Sequence, residues 1–98
     1  MYRGTTPTNK FMLDIDLQDA VVIYITYKQN NKTILEKTKE DIEFGDGYIS
    51  VELTQEETLE FKERPISIQI RARFADGKAI ASNIIKTTVN NVLKEGAI

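Results

Sequence analysis

Ile66-Ser67-Ile68-Gln69-Ile70-Arg71-Ala72-Arg73-Phe74 is the stretch whose reading decides the fold. Every second residue is apolar: Ile66, Ile68, Ile70, Ala72 and Phe74. Between them stand Ser67, Gln69, Arg71 and Arg73. A strand turns successive side chains to opposite faces, so this alternation predicts a half-buried β-strand with one wall in a core and one in water. It is the longest clean alternation in the chain and is predicted to be central.

Immediately upstream lies the one helical signal, Thr54 to Phe61. Thr54 with Glu57 three residues on forms a capping box, and Glu56 and Glu57 suit the positive end of the helix dipole. About two turns are expected, anchored by Leu59, with Phe61 reaching the core and Pro65 ending the segment. Downstream, Asp76-Gly77 predicts a hairpin turn into a long returning strand, Lys78 to Val89. Its buried parity switches near Asn83 to Ile85, which predicts a bulge or a move between sheets.

Towards the N-terminus, Tyr48 to Leu53 alternates with Ile49, Val51 and Leu53 inward, and Gly45-Asp46-Gly47 reads as the hairpin joining it to Ile42-Glu43-Phe44. Lys32 to Lys39 reads as a charged edge strand with Ile34 or Leu35 inward. Asn30-Asn31 suits a type I′ turn, because Asn tolerates positive φ. Ala20 to Gln29 is a second strong strand, with Val21, Ile23, Ile25 and Tyr27 on one face and Val22, Tyr24, Thr26 and Lys28 on the other. Asp16 to Asp19 is a turn, and Lys10 to Ile15 a first strand carrying Phe11, Leu13 and Ile15 inward. The polar ends, 1–8 and 90–98, read as arms on a single domain spanning 1–98. About seven strands with one short helix near 54–61 predict an all-β antiparallel sandwich.

Composition narrows function. The 98 residues include neither Cys nor His. That rules out disulfides and thiolate metal sites and removes the commonest general base. A net charge of −2 and a pI of about 5.1 argue against a nucleic-acid binder. No apolar run is long enough to span a bilayer, and Met1 to Pro7 lacks the apolar core of a signal peptide, so a cytoplasmic origin is expected.

Three stretches invite a site reading. Asp14-Ile15-Asp16-Leu17-Gln18-Asp19 is rich in carboxylates, but it lacks the Gly and Glu of a calcium loop and fits ordinary Asx turns. Gly45-Asp46-Gly47 lacks the Lys-Ser/Thr of a phosphate loop. Arg71 and Arg73 could hold a phosphate or a carboxylate, or could pair across strands with a residue such as Glu52. No pairing of residues predicts catalysis, and no cofactor is expected. Val22 and Tyr24 form an apolar patch if Val21, Ile23 and Ile25 fill the interior, and such patches mark contacts with other chains.

Several segments resemble short structural proteins carried by bacteriophages and prophages of Gram-positive bacteria. They include Met1 to Thr8, Ile25-Thr26-Tyr27-Lys28-Gln29, Ser50 to Leu59, Gln69-Ile70-Arg71, Asp76 to Ile85 and Val92-Leu93-Lys94-Glu95-Gly96. The start is also similar to the N-terminal immunoglobulin-like domain of phage baseplate upper proteins. The resemblance implies an immunoglobulin-like sandwich in a virion structural protein of the tail or baseplate, assembled in the host cytoplasm. Its partners would be other phage structural proteins and further copies of itself. Tyr2, Arg3, Val22, Tyr24 and Leu93 are the interaction residues this reading selects, with the two arms as assembly arms. The alternatives are a host-receptor or carbohydrate-binding module, a head decoration protein, and a small inhibitor of a host protein. With no Trp and 8% aromatic residues, few platforms exist for stacking sugars.

Overall fold

The computed structural model describes residues 1–98. Eight strands follow in order: β1 (Thr8–Met12), β2 (Ala20–Gln29), β3 (Lys32–Thr38), β4 (Ile42–Gly45), β5 (Tyr48–Glu52), β6 (Ile66–Phe74), β7 (Ala79–Ala81) and β8 (Ile85–Thr87). A 3-10 turn, Lys39–Asp41, leads into β4, and a helix, α1 (Gln55–Leu59), follows β5. The strands form two antiparallel sheets. One has three strands in the order β1-β5-β4; the other has five, β3-β2-β6-β7, with β8 also paired to β6. The protein is mostly β, with one short α-helix.

β6 is central, as its alternation predicts, with β2 on one side and β7 and β8 on the other. Ile66, Ile68, Ile70 and Ala72 are buried, while Arg71 and Arg73 are exposed. Ile23, Ile25 and Tyr27 of β2 join them, and the small sheet adds Phe11, Ile42, Ile49 and Val51 to the same cluster of 16 buried residues. Burying each large aliphatic side chain contributes about 1.5–3 kcal/mol, so the core is built where the inner faces of the two sheets meet.

The structure refines the sequence reading in four places, three of them through strand register. In β2, Ala20 pairs with Phe74 and Val22 with Arg73, so Val21 is bulged out of the ladder. Ala20 is therefore fully buried and Val21 is 48% exposed, the reverse of its expected place inside. β1 begins and ends earlier than expected because its partner sets its length. The ladder runs from Thr8↔Glu52 to Met12↔Tyr48, and the turn at Gly47 closes it with a bond from the Leu13 N–H to the Gly47 carbonyl. Beyond that point Ile15 is exposed. The long returning strand is two strands, since Gln69 and Ile70 of β6 face three residues, Ser82, Asn83 and Ile84. This one-residue excess switches the inward parity from Ile80 to Ile85 and Thr87, in agreement with the sequence signal. Finally, α1 is anchored by fully buried Thr58 rather than by half-buried Leu59.

The local chemistry matches expectation elsewhere. Asn30 and Asn31 sit at φ 51° and 63° in the β2–β3 hairpin. The Glu57 N–H donates to Thr54 Oγ1 at 3.1 Å, and the Thr54 N–H donates to Glu57 Oε1 at 2.9 Å. Phe61 is fully buried and stacks on Tyr27 with ring centroids 5.9 Å apart. Buried Gln29 holds the segment ahead of β6. Its Nε2 donates to the carbonyls of Lys62 and Arg64, and its Oε1 accepts the Lys62 N–H.

Candidate functional site

Val22 and Tyr24 lie on the outer face of the five-stranded sheet, and the register sets them beside the outer row of β6. Val22 is opposite Arg73, and Tyr24 is opposite Arg71. Tyr24 is 44% exposed. Glu52, offered by the sequence as a cross-strand partner for the arginines, belongs to β5 in the other sheet and faces Thr8. The one ion pair of the molecule joins Lys37 to Glu57 at 2.6 Å, so Arg71 and Arg73 hold no carboxylate. The apolar patch and the arginine row are one surface.

Tyr2, Arg3 and Leu93 are placed very differently. Tyr2 forms a parallel bridge with Asn90. The N-terminal ammonium donates to the Thr88 carbonyl at 2.7 Å, and the Asn90 N–H donates to the Met1 carbonyl at 2.7 Å. Arg3 is half-buried. Its guanidinium donates to the carbonyls of Phe61 (2.7 Å) and Leu59 (3.0 Å) and to Asn91 Oδ1 (2.8 Å). A helix leaves its last carbonyls unpaired and its C-terminus partially negative, so Arg3 serves its own chain as the cap of α1. The Thr5 N–H donates to Thr58 Oγ1, which donates back to the Thr5 carbonyl. The first residues are therefore docked on their own chain. Leu93, by contrast, stands fully exposed in the C-terminal segment.

A groove of about 790 Å³ opens between β1 and the β7–β8 edge, a feature that sequence reasoning missed. Phe11, Leu17, Ile68, Ile70, Ile80 and Ile85 supply its apolar lining. The β1–β5 ladder alternates, with the Leu53 N–H bonding the Pro7 carbonyl at one end and the Leu13 N–H bonding the Gly47 carbonyl at the other. Residues 8, 10 and 12 consequently turn their backbone N–H and C=O away from β5, towards the open edge. No sequence pattern marks a strand as lacking a neighbour; only the parity switch near Ile85 hinted that this margin was irregular.

Between the sheets lies a polar cluster. The Tyr27 hydroxyl donates to Asn9 Oδ1 at 2.7 Å. Burial, helped by the negative charge of Glu57, pushes the Tyr27 phenol above its usual range. Desolvation pulls the Glu57 carboxyl up, but hydrogen bonds from Lys37 and Thr54 and the Lys37 charge outweigh it, so its pKa is lowered. The cluster is a structural ion pair closing α1 against β3. In the acidic stretch, the Gln18 N–H donates to Asp16 Oδ1, an Asx turn. Gly45 and Asp46–Gly47 form the end of β4 and the turn into β5. No group of three acidic side chains is placed to hold a metal ion, and no helix is long and apolar enough to cross a membrane.

Comparison with known proteins gives no matching family model, no similar curated protein and no similar solved structure.

Proposed function

We propose that this chain is a non-catalytic structural protein of a bacteriophage or prophage virion, a tail or baseplate component built on an immunoglobulin-like sandwich, that works by assembling with other phage proteins. The observation that carries the assembly reading is the open margin between the sheets. The β1 edge presents unpaired backbone groups beside an apolar groove. An extended segment of a neighbouring subunit can add to such an edge, where backbone hydrogen bonds give affinity and the pockets of alternate side chains give selectivity. Natural sheets usually protect their edges with charge or cover. Here the strand residues at the edge are Thr8, Lys10 and Met12, and Lys10 is drawn over the Tyr48 ring at 4.0 Å instead of projecting along the edge. The phage assignment itself is supported by the segments that resemble phage proteins, spread in order over most of the chain.

Antibody raised against the purified chain and applied to intact phage particles tests the proposal by electron microscopy. Label at the tail or its tip supports it. Label on the capsid replaces it with a head decoration protein, and particles free of label overturn it.

A further inference from the structure

The outer face of the five-stranded sheet carries charge that the fold leaves unmatched. Arg71 lies beside Tyr24 and Arg73 beside Val22, while Lys28 and Lys86 both lie beside Ser67. The strand residues of this face include one carboxylate, Glu36, which accepts a hydrogen bond from the Thr26 hydroxyl at 3.3 Å. Four cations against one carboxylate stand out in a chain whose net charge is −2.

We infer that this face docks an acidic segment of a partner protein. The inference rests on reading the chain as a protein–protein interaction module and names the chemistry of one of its partners. Arg71 and Arg73 are two residues apart on one strand face, so they repeat at about 6.6 Å. That is also the repeat of side chains along one face of an extended segment, so successive carboxylates can meet successive guanidiniums. Each guanidinium can take a carboxylate through two parallel hydrogen bonds. Tyr24, 44% exposed and flanked by Arg71, supplies the aromatic body that sits with arginine at the centre of protein interfaces. A nucleic acid or an anionic membrane would offer negative charge too. The overall negative charge of the chain opposes both at long range, whereas a short acidic segment meets only the local field.

The test is an NMR titration of the isotopically labelled full chain with a synthetic peptide alternating Glu and Thr. Single-stranded DNA and phosphatidylserine vesicles are titrated in parallel. The peptide is expected to shift amide signals of β2 and β6 around Tyr24 and Arg71, and its binding to weaken as salt is raised. The double variant Arg71→Gln/Arg73→Gln is expected to lose about tenfold in affinity or more, as removal of close charge pairs does at interfaces. Lys62→Gln/Arg64→Gln, a second exposed basic pair, is expected to bind as the parent does. Shifts that map elsewhere, peptide binding indifferent to the arginine variants, stronger binding of DNA or vesicles, or self-association through this face would each overturn the inference. The antibody labelling of particles reads the virion role separately, so tail label without peptide binding removes this inference alone.

Discussion

The two ends of the chain have similar polar composition and opposite fates. The first five residues are tied to their own chain through the Met1 ammonium, both backbone bonds to Asn90, the Arg3 fork and the Thr5–Thr58 pair. Beyond Asn91, the Ile98 backbone exchanges bonds with the Gln55 side chain, while Leu93 is fully exposed. What separates the ends is where their backbone and cationic groups find partners. The N-terminal segment meets the unsatisfied carbonyls at the end of α1, and the C-terminal segment meets no comparable set. The N-terminal segment is thus docked on its own chain, while the C-terminal one is pinned through Ile98 and leaves Leu93 in solvent.

Replacing Arg3 with Ala should break the contrast most strongly. It leaves the Leu59 carbonyl at the helix end and the Phe61 carbonyl just beyond it without their charged donor, and urea unfolding should show a loss of about 2–3 kcal/mol. An unchanged midpoint would mean that the arm does not hold α1. Thr58→Val removes the hydroxyl that accepts the Thr5 N–H inside the fold. It should cost about 1–2 kcal/mol by the same measurement, and hydrogen exchange should speed up at Thr5 more than in β6.

The Lys37–Glu57 pair sharpens the comparison through pH, because it fastens the helix on which the N-terminal arm rests. The folded-state pKa of Glu57 is lowered from 4.5, so its stabilisation is complete above about that pH and fades as pH falls through the folded value. Glu57→Gln should flatten this acid limb and cost about 0.5 kcal/mol at neutral pH, since the pair is partly solvated. Tyr27 acts in the opposite sense. Its raised phenol pKa keeps its contribution intact below about pH 10.0, and stability should decline at higher pH. Tyr27→Phe should remove that alkaline decline. The smallest effect is expected from deleting residues 92–98, less than about 0.5 kcal/mol for a surface change of this kind. Light scattering on the same truncation also reads assembly: a changed mass with unchanged stability marks the tail as an assembly arm.

Much of the strand framework was legible in the sequence for one reason. Period-two alternation is a property of the backbone, so Ile66–Phe74 and Tyr48–Leu53 announce their inner faces without help from the rest of the chain. The Asn30-Asn31 turn and the Thr54–Glu57 box are equally local. Val21 was misread because a bulge interrupts the period, and a bulge is set by the partner strand. Thr58 was missed as an anchor because a hydroxyl scores as polar until the backbone groups it satisfies are known.

The sequence by itself therefore determined the inner face of β6, the hairpin turns, the capped helix and the parity break near Ile85. Only the tertiary structure decided that Tyr24 meets Arg71, that Arg3 caps a helix more than fifty residues away, and that β1 is left with an open edge. Alternation and caps depend on neighbours a few residues apart, whose geometry the backbone fixes. Pairing across strands depends on register, and register is settled by the whole core at once.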